Sequence, residues 1–218
     1  MKKEFWLEKW QNKQTGFHKD EVHPLLIKYI DELKLNSGDT VFVPLCGKTL
    51  DMLWLNSQGY KVIGIELSEL AIKEFFVDND ITYKKESDGL FDIYTYENIT
   101  IYKGDFFDLT AKYCQQVNAV YDRAALIALP GELVMKYVNK MLDVIPDLAM
   151  GILITLEFNR SSDSKGPPFN TSNEKVMKLF QKYMSIEQIY IIDIIERELS
   201  FQKQGCTYVN ERVYLISY

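Results

Sequence analysis

Val41-Phe42-Val43-Pro44-Leu45-Cys46-Gly47-Lys48, with Val62-Ile63-Gly64-Ile65-Glu66-Leu67-Ser68 after it, is the pair of segments that decides how this chain folds. Each begins as a short unbroken apolar run, the pattern of a strand buried on both faces. The first run ends in a turn with proline and glycine, the second in a carboxylate followed by a serine suited to cap a helix. Strand, glycine turn, helix, then a strand closed by an acid is the layout of a nucleoside-binding α/β unit. There the turn lies against the ligand and the acid accepts hydrogen bonds from the ribose hydroxyls. A pyrophosphate site needs several glycines for close backbone approach, and this turn has only Gly47. A weak phosphate cradle beside a good ribose acid points to a nucleoside without phosphate, and S-adenosylmethionine is the candidate.

The flanking sequence continues the alternation. Strands are expected at residues 40–45, 61–66, 91–96, 99–103, 117–121, 150–158, 186–195 and 208–218. Helices are expected at 4–10, 22–33, 49–58, 69–78, 132–145 and 173–183, with Ser68 capping the fourth and Pro146 helping to end the fifth. Glu97-Asn98 reads as a hairpin turn. Strands separated by helices imply a mostly parallel sheet covered on both faces, a three-layer α/β/α sandwich. Residues 196–207 join the last two strands without an evident helix, so those two are expected to be antiparallel neighbours near one edge. The expected framework is Rossmann-like, seven-stranded with one reversed strand; strand order is not legible from local pattern. One domain is expected over 1–218, with residues 1–35 as a helical segment covering the cofactor site.

Composition narrows the classes. The chain has 218 residues, 47% hydrophobic and 26% charged, and a net charge of −6 that argues against a broad non-specific nucleic-acid surface. Cys46, Cys114 and Cys206 are odd in number and scattered, neither a disulfide framework nor a zinc site, which fits a reducing cytoplasm. The first residues lack the apolar core of a signal peptide, and no apolar run approaches the ~18 residues of a membrane span. No metal is expected, and a monomer is the expected state.

Ligands of open α/β sheets sit outside the carboxyl ends of the strands. That rule selects Leu45, Cys46 and Gly47 after the first strand, Glu66 at the end of the second, Asp105-Phe106 after 99–103, and Asp122-Arg123 after 117–121. Backbone at 45–47 suits the amino-acid part of the cofactor, Glu66 the ribose diol, Asp105 the adenine amino group and Phe106 the ring face. Each position has a plainer reading. Asp105 caps the next turn, Arg123 pairs with Asp122, Cys46 fills space, Trp6 and Trp10 staple the first helix, and His18 and His23, without an acidic partner at a telling spacing, are structural. Four strand ends in order, each with a suitable group, favour the site.

Trp6-x-x-x-Trp10, Gly16-Phe17-His18, Pro44-Leu45-Cys46-Gly47-Lys48, Gly64-Ile65-Glu66-Leu67-Ser68-Glu69, Tyr121-Asp122-Arg123-Ala124-Ala125-Leu126, Gly166-Pro167-Pro168-Phe169 and Glu211-Arg212-Val213-Tyr214-Leu215 together resemble the thiopurine S-methyltransferase family, in its bacterial form. The resemblance covers nearly the whole chain and implies a class I methyltransferase using S-adenosylmethionine and yielding S-adenosylhomocysteine. It implies cofactor contacts from Trp10, Leu45, Glu66 and Arg123 with Trp6 as an accessory, adenine between Asp105 and Phe106, and acceptor contacts from Phe17 and Arg197. The implied acceptor is an aromatic or heterocyclic thiol, with Arg123 favouring its thiolate. Selenium or tellurium species, other small acceptors, a non-catalytic S-adenosylmethionine-binding module, and an NAD-linked enzyme disfavoured by the missing glycines stay open.

Overall fold

A computed structural model describes residues 3–145, 150–160 and 166–217. Pro146 as a helix terminator, the middle of the polar 159–170 loop and the final residue of the closing strand lie outside the described residues. Strands β1 (Thr40–Val43), β2 (Lys61–Glu66), β3 (Lys84–Ser87), β4 (Asp92–Tyr96), β5 (Ile99–Lys103), β6 (Val117–Arg123), β7 (Met150–Phe158), β8 (Ser185–Asp193) and β9 (Val209–Ser217) form one sheet. Their order is β3-β4-β5-β2-β1-β6-β7-β9-β8.

β5, β2, β1, β6 and β7 run parallel, and β9 runs against both β7 and β8. The span from β5 to β8 is thus the expected seven-stranded sheet with one reversed strand. The whole sheet is larger, because β3 and β4 extend it beyond β5 and β4 is a second reversed strand. β3 carries no sequence signal: Lys84, Lys85, Glu86 and Ser87 are all exposed, so no apolar alternation marks it. Charged side chains suit it to an edge, where they discourage pairing with another chain.

Helices α1 (Lys3–Gln11), α2 (Pro24–Tyr29), α3 (Asp51–Ser57), α4 (Glu69–Val77), α5 (Gly131–Val144), α6 (Asn173–Phe180) and α7 (Leu199–Lys203) complete the order. α4 begins as expected, with the Ser68 hydroxyl accepting from the Ala71 N–H at 3.3 Å. α2 is shorter than expected. His23 caps it by accepting the Leu25 N–H, and after Tyr29 the chain tightens into a 3₁₀ turn closed by Lys34 at φ +51°. The 196–207 connection does contain a helix, α7, whose five residues are too few for a periodic pattern to register.

Alternation along β1 sends Phe42 to one face and Val41 and Val43 to the other. On the Phe42 face, α5 and α6 pack Tyr137, Val138, Met141, Val176 and Phe180. On the opposite face, α2, α3 and α4 pack Leu26, Met52, Leu55, Ile72 and Phe75. Each such buried side chain contributes roughly 1.5–3 kcal/mol, so the two cores fix the sheet as a rigid middle layer. The chain steps outward from β1 to β2 and β5, then returns to β6 and proceeds the other way. The carboxyl ends of β1 and β6 therefore flank the topological switch point, where open sheets take ligands.

Candidate functional site

Backbone geometry at the end of β1 builds the first wall. Leu45 lies at φ +46° and Gly47 at φ +54°, and for a residue with a Cβ such a conformation costs roughly 1–2 kcal/mol. The Cys46 N–H donates to the Ile65 carbonyl at 3.0 Å, which holds the strained turn against β2. At Gly47 any side chain would crowd Trp10, whose ring lies 3.2 Å from where a Cβ would stand.

Glu66, at the last position of β2, is buried, and its carboxylate accepts from the Gly47 N–H at 2.9 Å and the Ser68 N–H at 2.7 Å. Burial pushes this carboxyl above its ordinary range, and the backbone N–H groups of Ser68, Gly47 and Leu67 oppose the rise. An ionised carboxylate accepts about four hydrogen bonds, so acceptor capacity is left after these N–H contacts. Cys46 follows the plainer reading. It is buried beside Glu66 and against Gly64, where an added Cβ would come 2.8 Å from its sulfur, and burial pushes its thiol well above the ordinary range. A thiol held protonated is a poor nucleophile.

At the end of β6, Asp122 and Arg123 point to opposite faces. Asp122 is buried, accepts from the Tyr137 hydroxyl at 2.7 Å and the Leu126 N–H at 3.2 Å, and is raised to about 6 by burial. Asp122 is therefore not the partner of Arg123, which makes no ion pair among the described residues. Ala124 at φ +72° ends the strand abruptly and leaves Arg123 at the cavity wall.

After β5, Asp105 caps the 3₁₀ turn Phe106–Asp108, accepting from the Phe107 N–H at 2.9 Å, and its other oxygen meets the Lys3 ammonium at 2.7 Å. The ion pair ties α1 to this strand end and raises the Lys3 pKa. Phe106 is buried between Phe42 and Tyr137, with ring centroids 6.5 and 4.8 Å away, and also lines the cavity. Trp10, Trp6 and Phe17 close the same side. Phe17 meets Trp10 edge to face at 5.5 Å and Trp6 at 5.6 Å.

These elements enclose one cavity of about 860 Å³. Trp6, Trp10, Phe17, Leu45, Gly47, Glu66, Asp105, Phe106 and Arg123 all line it. Arg197 does not: it sits in the 3₁₀ turn Ile195–Arg197, and its neighbour Glu198, ion-paired to Lys19 at 3.2 Å, takes the lining position instead. Arg160, just past β7, lines the cavity although no sequence pattern marks it.

His23 also has an acidic partner that spacing conceals. Its Nδ1 takes the Leu25 N–H, so its Nε2 carries the hydrogen it shares with Glu211 at 3.1 Å. The His23 N–H and the Tyr121 hydroxyl both donate to the buried Asp51, at 2.8 and 2.9 Å. His23, Asp51, Tyr121 and Glu211 thus form a satisfied polar floor on the α2–α3 side. His18, 3.3 Å from Asp20, is lowered by burial and by the charges of Lys48 and Arg123.

The sequence profile described as Thiopurine S-methyltransferase (TPMT) matches residues 1–218. The chain belongs to the thiopurine S-methyltransferase family. It is 39% identical over 216 residues to the thiopurine S-methyltransferase of Pseudomonas aeruginosa, covering 99% of both chains. It is 40% identical over 214 residues to that of Shewanella loihica, covering 98% of both. Among solved structures it is similar to an S-adenosylmethionine-dependent methyltransferase of Anabaena variabilis, with a TM-score of 0.62, 14% identity, and 99% of this chain and 94% of that one covered. It is likewise similar to the 1,6-didemethyltoxoflavin-N1-methyltransferase of Burkholderia thailandensis solved with S-adenosylhomocysteine, with a TM-score of 0.61, 11% identity, and coverage of 99% and 87%. These likenesses give the class I methyltransferase fold. The cofactor of this thiopurine S-methyltransferase-family chain is S-adenosylmethionine, and the site fits it. Glu66 retains acceptor capacity for a ribose hydroxyl, Gly47 leaves the turn without a Cβ, and the cavity is walled by aromatic rings.

Proposed function

We propose that this chain methylates the sulfur of a small aromatic or heterocyclic thiol of the thiopurine type. One observation carries the reading: Arg123, which has no carboxylate partner among the described residues, shares a cavity with the Glu66–Gly47 nucleoside cradle. S-adenosylmethionine supplies an electrophilic methyl on a sulfonium, so the acceptor sulfur gains the methyl while the bonding pair returns to the cofactor sulfur. The chain has little covalent work to do. Glu66 takes the ribose hydroxyls, and Leu45 and Gly47 present backbone to the amino-acid end. Trp10 and Trp6 cover the site as part of the N-terminal segment. Phe106 and Asp105 flank the adenine, Asp105 sharing a carboxylate already held by Lys3 and the Phe107 N–H.

Phe17 contacts the acceptor ring, and Arg123 holds the acceptor sulfur as thiolate. Aromatic thiols ionise near neutrality, so an electrostatic partner suffices and a strong base is not needed. Holding acceptor and donor in line is worth up to roughly 7–11 kcal/mol in favourable cases. Arg197, absent from the cavity lining, has no place in this arrangement. Three free, buried cysteines support work in a reducing cytoplasm, and the net charge of −6 supports a small-molecule partner rather than nucleic acid. Among the described residues no helix is long and apolar enough to cross a membrane. The reading has the chain act as a monomer.

Labelled S-adenosylmethionine offered with thiophenol, a thiopurine, selenite and tellurite tests it. Methyl transfer to the aromatic thiols is expected. Tight S-adenosylhomocysteine binding without transfer to any thiol overturns it.

A further inference from the structure

Among the described residues, the acids that line the cavity beyond the cofactor cradle are engaged. Glu198 meets Lys19 at 3.2 Å and Glu211 meets His23 at 3.1 Å. Two half-buried cations elsewhere are held by carboxylates: Arg212 by Glu157 at 2.7 Å, and Lys48 by Glu74 at 2.9 Å and Asp78 at 2.8 Å. Arg160, like Arg123, has no such partner among the described residues. Its Nη1 donates to the Gln204 side-chain oxygen at 3.0 Å and its Nη2 to the Pro168 carbonyl at 3.2 Å. Its guanidinium carbon lies 5.0 Å from the centre of the Phe158 ring. All three anchors are neutral. Its Nε is buried without a hydrogen-bond partner, and no carboxylate ion-pairs with it among the described residues. A guanidinium cannot shed its proton, and its planar fork has more N–H donors than these neutral anchors take up, which suits it to an anion.

We infer that Arg160 is an anion-binding, specificity-determining residue of the acceptor half, and that the acceptor is an aromatic thiol carrying a second anionic group, a carboxylate, remote from its sulfur. The inference rests on the thiol methyl transfer proposed above. Position in the sheet makes the group remote. Arg123 is level with Ile154 on β7, and Phe158 is four residues further on, about 13 Å along the strand. Arg160 lies beyond that again, so the two arginines address opposite ends of one acceptor. Arg160 is also far from the turn that would receive the cofactor's amino-acid end. The turn after β1 is two strands away, roughly 10 Å across the sheet in addition to the distance along it. Between the arginines, Leu156, Ile194, Phe201 and Pro167 offer an apolar slot for a ring.

The experiment compares thiophenol with 4-mercaptobenzoate and its methyl ester, in wild type, Arg160→Ala, Arg160→Gln and Arg160→Lys. Wild type should favour the carboxylate in kcat/KM over both neutral thiols. In Arg160→Ala and Arg160→Gln that preference should fall by about tenfold to a hundredfold, chiefly through KM, and Arg160→Lys should restore part of it. S-adenosylhomocysteine titrations followed by tryptophan fluorescence confirm that each variant is folded. Equal losses on charged and neutral acceptors would make Arg160 merely structural and overturn the inference. So would a wild type indifferent to the carboxylate. Calorimetric binding of 4-(methylthio)benzoate to the S-adenosylhomocysteine complex keeps the two readings separable. If no thiol is methylated the transferase reading fails, and loss of this binding in Arg160→Ala still decides the role of Arg160.

Discussion

The two halves of the cavity are built by different means. In the cofactor half the contacts are strand ends and backbone: a carboxylate at the last position of β2 holds two N–H groups at 2.9 and 2.7 Å, and the turn above it is locked at left-handed φ. In the half proposed for the acceptor they are long side chains from segments far apart in sequence, Arg160 anchored on Gln204 and His23 on Glu211. The first arrangement is rigid because the sheet supports each group directly, and it suits a ligand that never changes. The second can be retuned by one substitution, because connecting segments carry it and side chains do the recognition. Division of labour within one cavity is the lesson. In the proposed reading Arg123 stands at the seam, on a strand end and turned to the acceptor.

The largest effect should come from breaking the seam. Arg123→Ala should lower turnover about 10²–10³-fold, the range for removing one preorganised donor from developing or resident negative charge. Cofactor affinity should change only a few-fold, and Arg123→Lys should recover part of the rate because an ammonium lacks the planar fork. Single-turnover rates beside S-adenosylhomocysteine titrations separate the outcomes. Weak cofactor binding with intact turnover would move Arg123 wholly into the cofactor half.

Asp122, on the other face of the same strand end, gives the next effect, in stability. Its folded pKa of about 6 lies above the ordinary 3.8, because burial disfavours the charge. For an acid whose folded pKa is raised, the folded state binds more protons between those values. Its contribution is therefore fully present below about pH 3.8 and lost as pH rises through about 6. Against Asp122→Asn, wild type should lose roughly 3 kcal/mol of relative stability between about pH 4 and 7, because each tenfold change in proton affinity is worth about 1.36 kcal/mol. Denaturant titrations at a series of pH values read this, and a flat difference would mean that Asp122 ionises freely in the folded chain.

Glu66→Gln should act only on the cofactor half. An amide has one carbonyl oxygen for the Gly47 and Ser68 N–H groups and turns an N–H toward one of them. With the charge-assisted ribose contacts also weakened, cofactor affinity should fall by about 1.5–3 kcal/mol, tenfold to a hundredfold. The KM of the acceptor at saturating cofactor should hold. A comparable rise in acceptor KM, measured by steady-state kinetics, would show that the halves are coupled rather than separate.

The same contrast explains what can be read from the sequence. Strand ends are legible because apolar runs announce strands and the next few residues must then be the ends, which is how Leu45, Gly47, Glu66, Asp105 and Arg123 stand out in the chain itself. β3 and α7 do not, since four exposed polar residues and a five-residue helix carry no period. Strand order is hidden because pairing depends on which faces meet, not on local pattern. Arg160 and the His23–Glu211 pair are hidden for a related reason: their partners lie 44 and 188 residues away, and only folding brings them into reach. Arg197 shows the converse: the resemblance implies an acceptor contact there, and the cavity lining takes its neighbour Glu198 instead.

The smallest effect should come from Lys3, and its smallness is informative. Contacts that hold α1 include two unlike ones, the half-exposed Lys3–Asp105 ion pair at 2.7 Å and the buried Trp10 ring against Gly47. Exposed pairs are worth about 0–1 kcal/mol and weaken with salt, whereas a buried tryptophan replaced by alanine forfeits roughly 3–5 kcal/mol of packing. If α1 covers the bound cofactor, S-adenosylhomocysteine should slow proteolysis within the first 20 or so residues. Lys3→Ala should then speed cleavage by no more than about fivefold, less at high salt, while Trp10→Ala should abolish the protection. A Lys3→Ala effect as large as that of Trp10→Ala would mean that α1 is pinned by charge at the β5 end rather than by an aromatic lid on the turn. Cleavage indifferent to cofactor in wild type would mean that α1 is a stapled helix and no cover at all.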